Sequence, residues 1–480
     1  MKTTILSLVL IILFACSEKL DEQLKSSPLE YTISKDKKGV NTKILGVWKS
    51  IGNGYYLEAT KDHILVYSYT ENFCYKEKNE YLEGLLNSQS QFIKSKDTLS
   101  IYLTDYGEKT KELQTKKDFV RIERLPSHCL KIDEIKSLNV NDLHKLYLES
   151  LKENYAFSQK RNLNWDSIYN TKKHHTLTKD ELFETLGNIA ILTKDQHTKV
   201  IANDSTSLQY RITPTAELVK EAFYEQSKIT NLNNYYNLFF KTNYKNITED
   251  ILQGKGNKIA NNKIEWGSVH QDIGYIHIHS FAGFFEEPIS RKQQIDSLNM
   301  YMKHIITSFQ EKEAIIIDVS FNFGGYDASA LTIASYFTEE PVFAYTSQVF
   351  NNGEFYNEDG VIVYPAKSIS YTKPVYIVMT DISRSAAEGF VMMMRELPNV
   401  TIIGTNTLGT LSGMLGKSIG PYYTTVSNQR LMTHKQEYYE VTGVPPDINK
   451  IIFSKETILN SHKIAIQDII KSTLIIETNK

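Results

Sequence analysis

The sequence is short of cysteine, with three in 480 residues, and none stands at a spacing from histidine that would hold zinc. The pair His174-His175 reads as a solvated helix end, not as two ligands, so no metal site is expected. Positive charge is not in excess either: 54 lysines and arginines face 56 acidic residues, a net charge of -2. A nucleic-acid binder normally carries a basic surplus, so that class is set aside. Internal repeats are absent, which argues against a repeat architecture. What is there describes a globular protein: 41% hydrophobic and 23% charged residues, in a chain whose 480 residues suggest two or three domains.

The first sixteen residues carry one lysine, an apolar run from Ile5 to Phe14, and then Ala15-Cys16. This is the pattern of a secretory signal, and the run is too short to span a bilayer comfortably. Leu13-Phe14-Ala15-Cys16 resembles a bacterial lipobox, in which the cysteine is lipidated and becomes the mature N-terminus. The alternative is an ordinary secreted protein with a cysteine near its cleavage site. Multiple acyl chains on Cys16 would anchor the protein stably to a membrane, outside the cytoplasm, on the periplasmic face or the cell surface. Polar residues 17–43 then read as a flexible tether. Cys74 and Cys129 could pair in an oxidising compartment, but spacing alone does not say whether they meet.

From 44 to 127, short alternating runs such as His63 to Tyr69 and Thr98 to Leu103 are separated by turn residues, which predicts a small antiparallel β domain. No chemistry is visible in it. Residues 138–200 are helical by period, with Leu143, Leu146, Tyr147 and Leu151 on one face and Leu182, Leu186 and Ile189 on another. The second helix breaks at Asp195-Gln196-His197-Thr198, leaving a histidine at a helix end. Residues 201–265 are a less regular connecting or cap region, with a helix near Glu217 to Gln226. Ile273 to Ile278 reads as a strand and Arg291 to Phe309 as a helix. Ala314 to Val319 has the continuous apolarity of a strand buried on both faces. It runs into Ser320-Phe321-Asn322-Phe323-Gly324-Gly325, whose paired glycines could present N–H groups to a ligand or simply turn the chain.

Lys373 to Gly413 organises the rest. Pro374 to Thr380 reads as a strand, 381–384 as a turn, Ala386 to Leu397 as a helix and Val400 to Gly404 as another strand, a βαβ unit implying a parallel sheet. Ser385 falls at the helix start, at the carboxyl end of a strand, where open α/β sheets place ligands. The bland alternative is that Ser385 and Glu388 spell the capping box S-x-x-E. Further on, Tyr438 to Ile448 reads as a strand ending in a rigid turn, in which Glu440 is either a functional carboxylate or a solvated strand residue. A closing helix is expected from about Lys455 to Ile470, and the C-terminal helical unit is placed at 456–480.

Taken together these segments resemble the S41 serine peptidases, the C-terminal processing and tricorn-type group. Asp195 to Thr198 is similar to the D-x-H-T element of that family. Asp318, Asn322, Gly324 and Gly325 are similar to D-x-R-x-N-x-G-G, and Ser385 to Glu388 to the nucleophile motif. Gly404 to Ser412 and Glu440 to Asp447 are similar to its two closing elements. The resemblance implies a ClpP/crotonase-like α/β core at 266–455, within an α+β and α/β multidomain chain. It implies no cofactor and a polypeptide substrate. The lysine of the Ser/Lys branch would fall on Thr410, so the branch implied is the tricorn-like and retinoid-binding-like one, with His197 as base.

In that scheme His197 takes the proton of Ser385, backbone N–H groups of Gly324 or Gly325 and of Ala386 form the oxyanion hole, and Glu440 orients the base. Two departures stand out. Gln196 occupies the place of a serine that bridges histidine to glutamate, so Gln196, Asp195 or a water could each make that link. Ser320 replaces an arginine. No PDZ signature is present. The expected function is thus a lipid-anchored serine endopeptidase; the alternatives are a non-hydrolytic binder of apolar ligands or peptides on the same scaffold, and an accessory lipoprotein whose β domain does the work.

Overall fold

Alternating side chains on continuous apolar strands set the centre of the molecule. The computed structural model describes residues 32–478 apart from 78–85, 87–89, 103–115, 131–134, 136, 173–177, 204–205, 227 and 287–288. The signal segment, Cys16 and His174-His175 lie outside the described residues. A seven-stranded sheet carries Ile264–His270, Ile273–Ile278, Ala314–Asp318, Val375–Met379 and Val400–Gly404 side by side, with short strands at either edge. The last four of these run parallel to one another. Ile315 and Ile317 enter the core on one face, with helices Arg291–Ser308, Asp327–Ala334 and Ala386–Arg395. Ala314 and Ile316 enter the core on the other, with helices Pro214–Gln226, Leu232–Asn246 and Ser461–Thr478. Both faces are covered, so the central strands are apolar over most of their length.

A buried polar contact fastens the last helix to this sheet. Asp318, fully buried, accepts from Tyr275 Oη (2.5 Å), and its Oδ2 lies 2.8 Å from Nε2 of His462. Burial alone would push its carboxyl up, but the facing His462, hydrogen-bonded to it, and the nearby His277, whose Nδ1 is 3.5 Å from Oδ2, hold it well below the usual carboxylate range. The aspartate of the glycine motif is therefore structural, at the root of the loop that ends in Gly324-Gly325.

A nine-stranded sheet occupies the N-terminal part, from Thr32 to Leu130. All its pairings are antiparallel except that of Cys129–Leu130 with Cys74–Lys76. The tether expected over 17–43 is corrected at its end. Thr32–Ile33 pairs with the strand Gln91–Lys94, and Val40 is buried, so ordered structure begins by residue 32. The polar composition concealed a strand whose stability comes from its partner rather than from its own side chains. Cys74 and Cys129 are disulfide-bonded across the parallel pair, closing a separation of 55 residues. Cys74→Ser should lower the unfolding free energy by about 2–4 kcal/mol, read from the midpoint of a guanidinium titration.

A four-stranded sheet combines strands that follow the helices Val140–Asn154 and Lys179–Leu192 with strands that follow Val400–Gly404, in the order Thr206–Gln209, Lys199–Asn203, Tyr422–Ser427, Met414–Ile419. Its register sets Lys199 opposite Thr425 and Met414 opposite Ser427. Helices Val140–Asn154 and Lys179–Leu192 pack near it, and Leu146, Leu186 and Ile419 share one core.

Three sequence expectations change. Residues 438–447 form no strand, and the only strand there is Ile448–Asn449. Val441 sits at φ 77° and Pro445 and Pro446 have no N–H to give a ladder. The irregular stretch 201–265 contains the helix Leu232–Asn246, where asparagines and lysines obscured the spacing of buried Tyr235 and Phe239. The closing helix begins later, at Ser461, after a single 3₁₀ turn at Lys455–Thr457.

Candidate active site

Ser385 stands between the strand Val375–Met379 and the helix Ala386–Arg395, at φ 58° and ψ -126°. An ordinary N-cap residue occupies the extended region, so this backbone is not that of a simple cap. A non-glycine residue held at such a turn projects its side chain away from strand and helix, at a cost of roughly 1–3 kcal/mol in backbone strain. The first turn does not need the hydroxyl, because the N–H of Glu388 donates to the carbonyl of Ser385 (2.8 Å). Gly324 lies against the serine: a Cβ there would come within 2.7 Å of Ser385 Cβ and of the Arg384 carbonyl. Only glycine, at φ +93°, permits that approach.

His197 lies just before the strand Lys199–Asn203 of the four-stranded sheet. Its carbonyl accepts from Thr425 Oγ1 (2.6 Å), and its Nδ1 lies 2.7 Å from the carbonyl oxygen of Ser412. A carbonyl can only accept, so Nδ1 carries the proton and a neutral ring keeps its lone pair on Nε2, the form of a general base. The backbone N–H of Ser385 donates to the Thr410 carbonyl (3.1 Å). The two residues, far apart in sequence, thus hang from one segment, 410–412.

Glu440 holds that segment. It is buried, not a solvated strand residue, and its Oε2 accepts from the N–H groups of Leu411 (2.7 Å) and Ser412 (2.9 Å). The path from carboxylate to imidazole therefore runs through the Ser412 residue: N–H to Glu440, C=O from His197. Neither side chain proposed as a bridge makes it. Gln196 Oε1 accepts from Arg384 Nη1, and Asp195 Oδ1 accepts the backbone N–H of His197 (2.8 Å), which fixes the loop rather than the ring. Burial pushes Glu440 well above the usual carboxylate range, and the neighbouring Asp195 adds to it. Sequence reasoning placed Ser412 in the element Gly404 to Ser412 but gave it no role in this link, because it serves the link through its backbone.

Glu388 does far more than cap. Fully buried, it accepts from Thr407 Oγ1 (2.6 Å), the N–H of Gly409 (2.7 Å), the N–H of Thr410 (2.9 Å) and the N–H of Ser385 (3.0 Å). It ties the turn at Ser385 to the loop that carries the acceptor of that residue's own N–H. Of the three oxyanion donors expected, one is corrected. The N–H of Gly324 is already given to Asn322 Oδ1 (2.8 Å). Among the described residues the N–H of Gly325 donates to no acceptor, and Ala386, as first residue of its helix, has no intrahelical acceptor for its own.

Burial lowers the pKa of His197 from the ordinary imidazole value; Asp195 and the Ser412 carbonyl oppose it, and Arg384 and Lys199 add to it. A base with a depressed pKa is neutral over a wider range. If His197 serves as base, kcat/KM should be flat at neutral pH and fall only as pH drops below about 6.5, the unperturbed histidine value. A pH–rate profile with its acid limb above that value would contradict the assignment. Among the described residues no group of His, Cys, Asp and Glu side chains could hold a metal ion, and no helix is long and apolar enough to cross a membrane.

Residues 272–450, which include Ser385, Glu388, Gly324, Gly325 and Glu440, match the family model described as peptidase family S41. The chain is similar in structure to a peptidase-like protein of Parabacteroides merdae, at 23% identity and TM-score 0.55, over 70% of this chain and 96% of that one. It is also similar to mature CPAF in complex with lactacystin, at 12% identity and TM-score 0.50, over 72% and 99% of the two chains. At these identities the two likenesses speak for a shared fold.

Proposed function

We propose that this chain, a serine-type peptidase of family S41, cleaves polypeptides outside the cytoplasm through an acyl-enzyme on Ser385, while lipid on Cys16 tethers it to a membrane. One observation carries the catalytic part: the suspension of Ser385 and His197 from residues 410–412, with the imidazole proton fixed on Nδ1. Ser385 Oγ attacks the scissile carbonyl as His197 Nε2 takes its proton. The C–N bond then breaks, the imidazolium returns that proton to the leaving amine, and water hydrolyses the ester by the reverse transfer. The N–H groups of Gly325 and Ala386 hold the oxyanion. Glu440, acting through Ser412, is a positioning residue. The catalytic core on this account is the ClpP/crotonase-like part at 266–455, the helical part at 138–200 lends the histidine, and the β part at 44–127 is accessory. Fluorescein-labelled casein, incubated with the full chain near neutral pH, should be cut to fragments without added metal or cofactor; intact casein at enzyme concentrations that exclude slow turnover would refute the proposal.

A further inference from the structure

Arg384 and Gln196 are the residues immediately before Ser385 and His197, and they are bonded to each other, Arg384 Nη1 donating to Gln196 Oε1. The two chain segments that carry the site are thus joined a second time, one position upstream, by a link independent of residues 410–412. Consecutive Cα atoms are about 3.8 Å apart across a trans peptide, so a displacement at this link is felt at the residue that follows. Arg384 also grips the glycine loop. Its backbone N–H donates to the Asn322 carbonyl (3.2 Å), and its guanidinium carbon lies 4.6 Å from the centroid of the Phe323 ring. Phe323 in turn meets Phe240 of the helix Leu232–Asn246, with ring centroids 5.8 Å apart. Asn322 Oδ1 accepts the Gly324 N–H, so the loop is held on both sides of Phe323. A planar guanidinium can lie on a ring and donate a hydrogen bond at the same time, a combination the compact ammonium of lysine does not reproduce.

The acceptor at Gln196 is an amide, not a carboxylate, and among the described residues Arg384 makes no salt bridge. Burial disfavours its charge, buried Glu388 favours it and Arg211 opposes it. A cation is therefore kept, unneutralised by its own bonding partner, next to the imidazole. Burial bears most on His197, lowering its pKa; Asp195 and the Ser412 carbonyl raise it, and Arg384 and Lys199 lower it further. Glu440 reaches the ring only through the Ser412 residue, whose N–H it accepts.

We propose that Arg384 is a positioning residue for the peptidase reaction, a strap that fastens the His197 loop through Gln196, and the glycine loop through Asn322 and Phe323, to the turn at Ser385. The assignment rests on the peptidase function. It gives Arg384 two separable effects: its fork sets geometry, and its charge favours the neutral imidazole that can take a proton.

The rate at which a fluorophosphonate labels Ser385 in the full chain reads both, as its value at pH 8 and as the position of its acid limb. Gln196→Leu removes the link and keeps the charge, so labelling at pH 8 should slow about 10- to 100-fold, the scale of one charge-assisted hydrogen bond, with the limb near its wild-type position. Arg384→Met removes link and charge, so labelling should slow at least as much and the limb should move to higher pH. Arg384→Lys keeps a cation without the fork and should return the limb but not the rate. Gln196→Glu keeps an acceptor and adds a negative charge beside His197, so it should label faster than Gln196→Leu at pH 8 while its limb moves up. Arg384→Met and Gln196→Leu combined should be about as slow as Arg384→Met alone, because both remove one contact. Circular dichroism melts confirm that each variant is folded, and should Arg384→Met not fold, the two Gln196 variants decide. Labelling within twofold of wild type in the variants that break the link, additive losses in the double variant, or an unmoved limb in the variants that change charge overturns the strap. A wild-type chain that is never labelled would instead overturn the peptidase reading beneath it.

Discussion

Ser385→Ala should lower casein cleavage by about 10⁴ to 10⁶-fold, and His197→Ala by a comparable factor, with the double variant no worse than either single one. The non-additivity follows from the chemistry: a base without a nucleophile, or a nucleophile without its base, has already lost the covalent route. Ser385→Ala removes a hydroxyl on which the helix does not depend, since Glu388 is met by the backbone of residue 385. Its thermal melting point should therefore stay near that of wild type. Initial rates with circular dichroism melts on the same samples check both halves. A variant of either residue that keeps more than about a hundredth of wild-type activity would place the chemistry elsewhere.

Glu388→Ala should be among the most destabilising single changes in the chain, by about 3–5 kcal/mol. It would orphan three buried donors at once, the Thr407 hydroxyl and the N–H groups of Gly409 and Thr410, and leave the Ser385 N–H only its bond to the Thr410 carbonyl. Activity should fall with stability, because the loop that sets both Ser385 and His197 loses its anchor. Glu388 also gives the fold a pH dependence of definite sign. Burial outweighs the four donors and raises its pKa from 4.5 to about 7. Between those values the folded chain keeps a proton that the unfolded chain releases. The stability this group contributes is thus present at acid pH and lost as pH rises through about 7. Glu388→Gln does not titrate, so the melting-temperature advantage of wild type over that variant should shrink from pH 5 to pH 8. An advantage that grew over this range would contradict the assignment.

The sequence was most informative where one chemical demand fixes every position. Continuous apolarity at Ala314 to Asp318 and Val375 to Met379 is what a doubly covered strand requires, and the order of strand, Ser385, helix and strand appears as expected. It was least informative where stability is borrowed. Thr32–Ile33 is ordered by pairing with a strand some sixty residues on, and Leu232–Asn246 is helical because Tyr235 and Phe239 meet a core supplied by other segments. The site divides along the same line. Side chains proposed to carry or support the chemistry have types that can be found: Ser385, His197, Glu440. The Ser412 peptide link, the Thr410 carbonyl and the three added partners of Glu388 are created by tertiary approach and leave no mark on residue type. The same limit explains why Gln196 could not be placed. Its partner, Arg384, precedes Ser385, and only the folded chain brings those neighbours together.

The most direct trial of the central claim is covalent: incubate the full chain with a fluorophosphonate near neutral pH, digest it, and map the adduct by mass spectrometry. Modification confined to the peptide bearing Ser385, absent from Ser385→Ala and slowed by orders of magnitude in His197→Ala, is the predicted outcome. An adduct on another serine, or equal labelling of the His197→Ala protein, would contradict the nucleophile and base named for this fold.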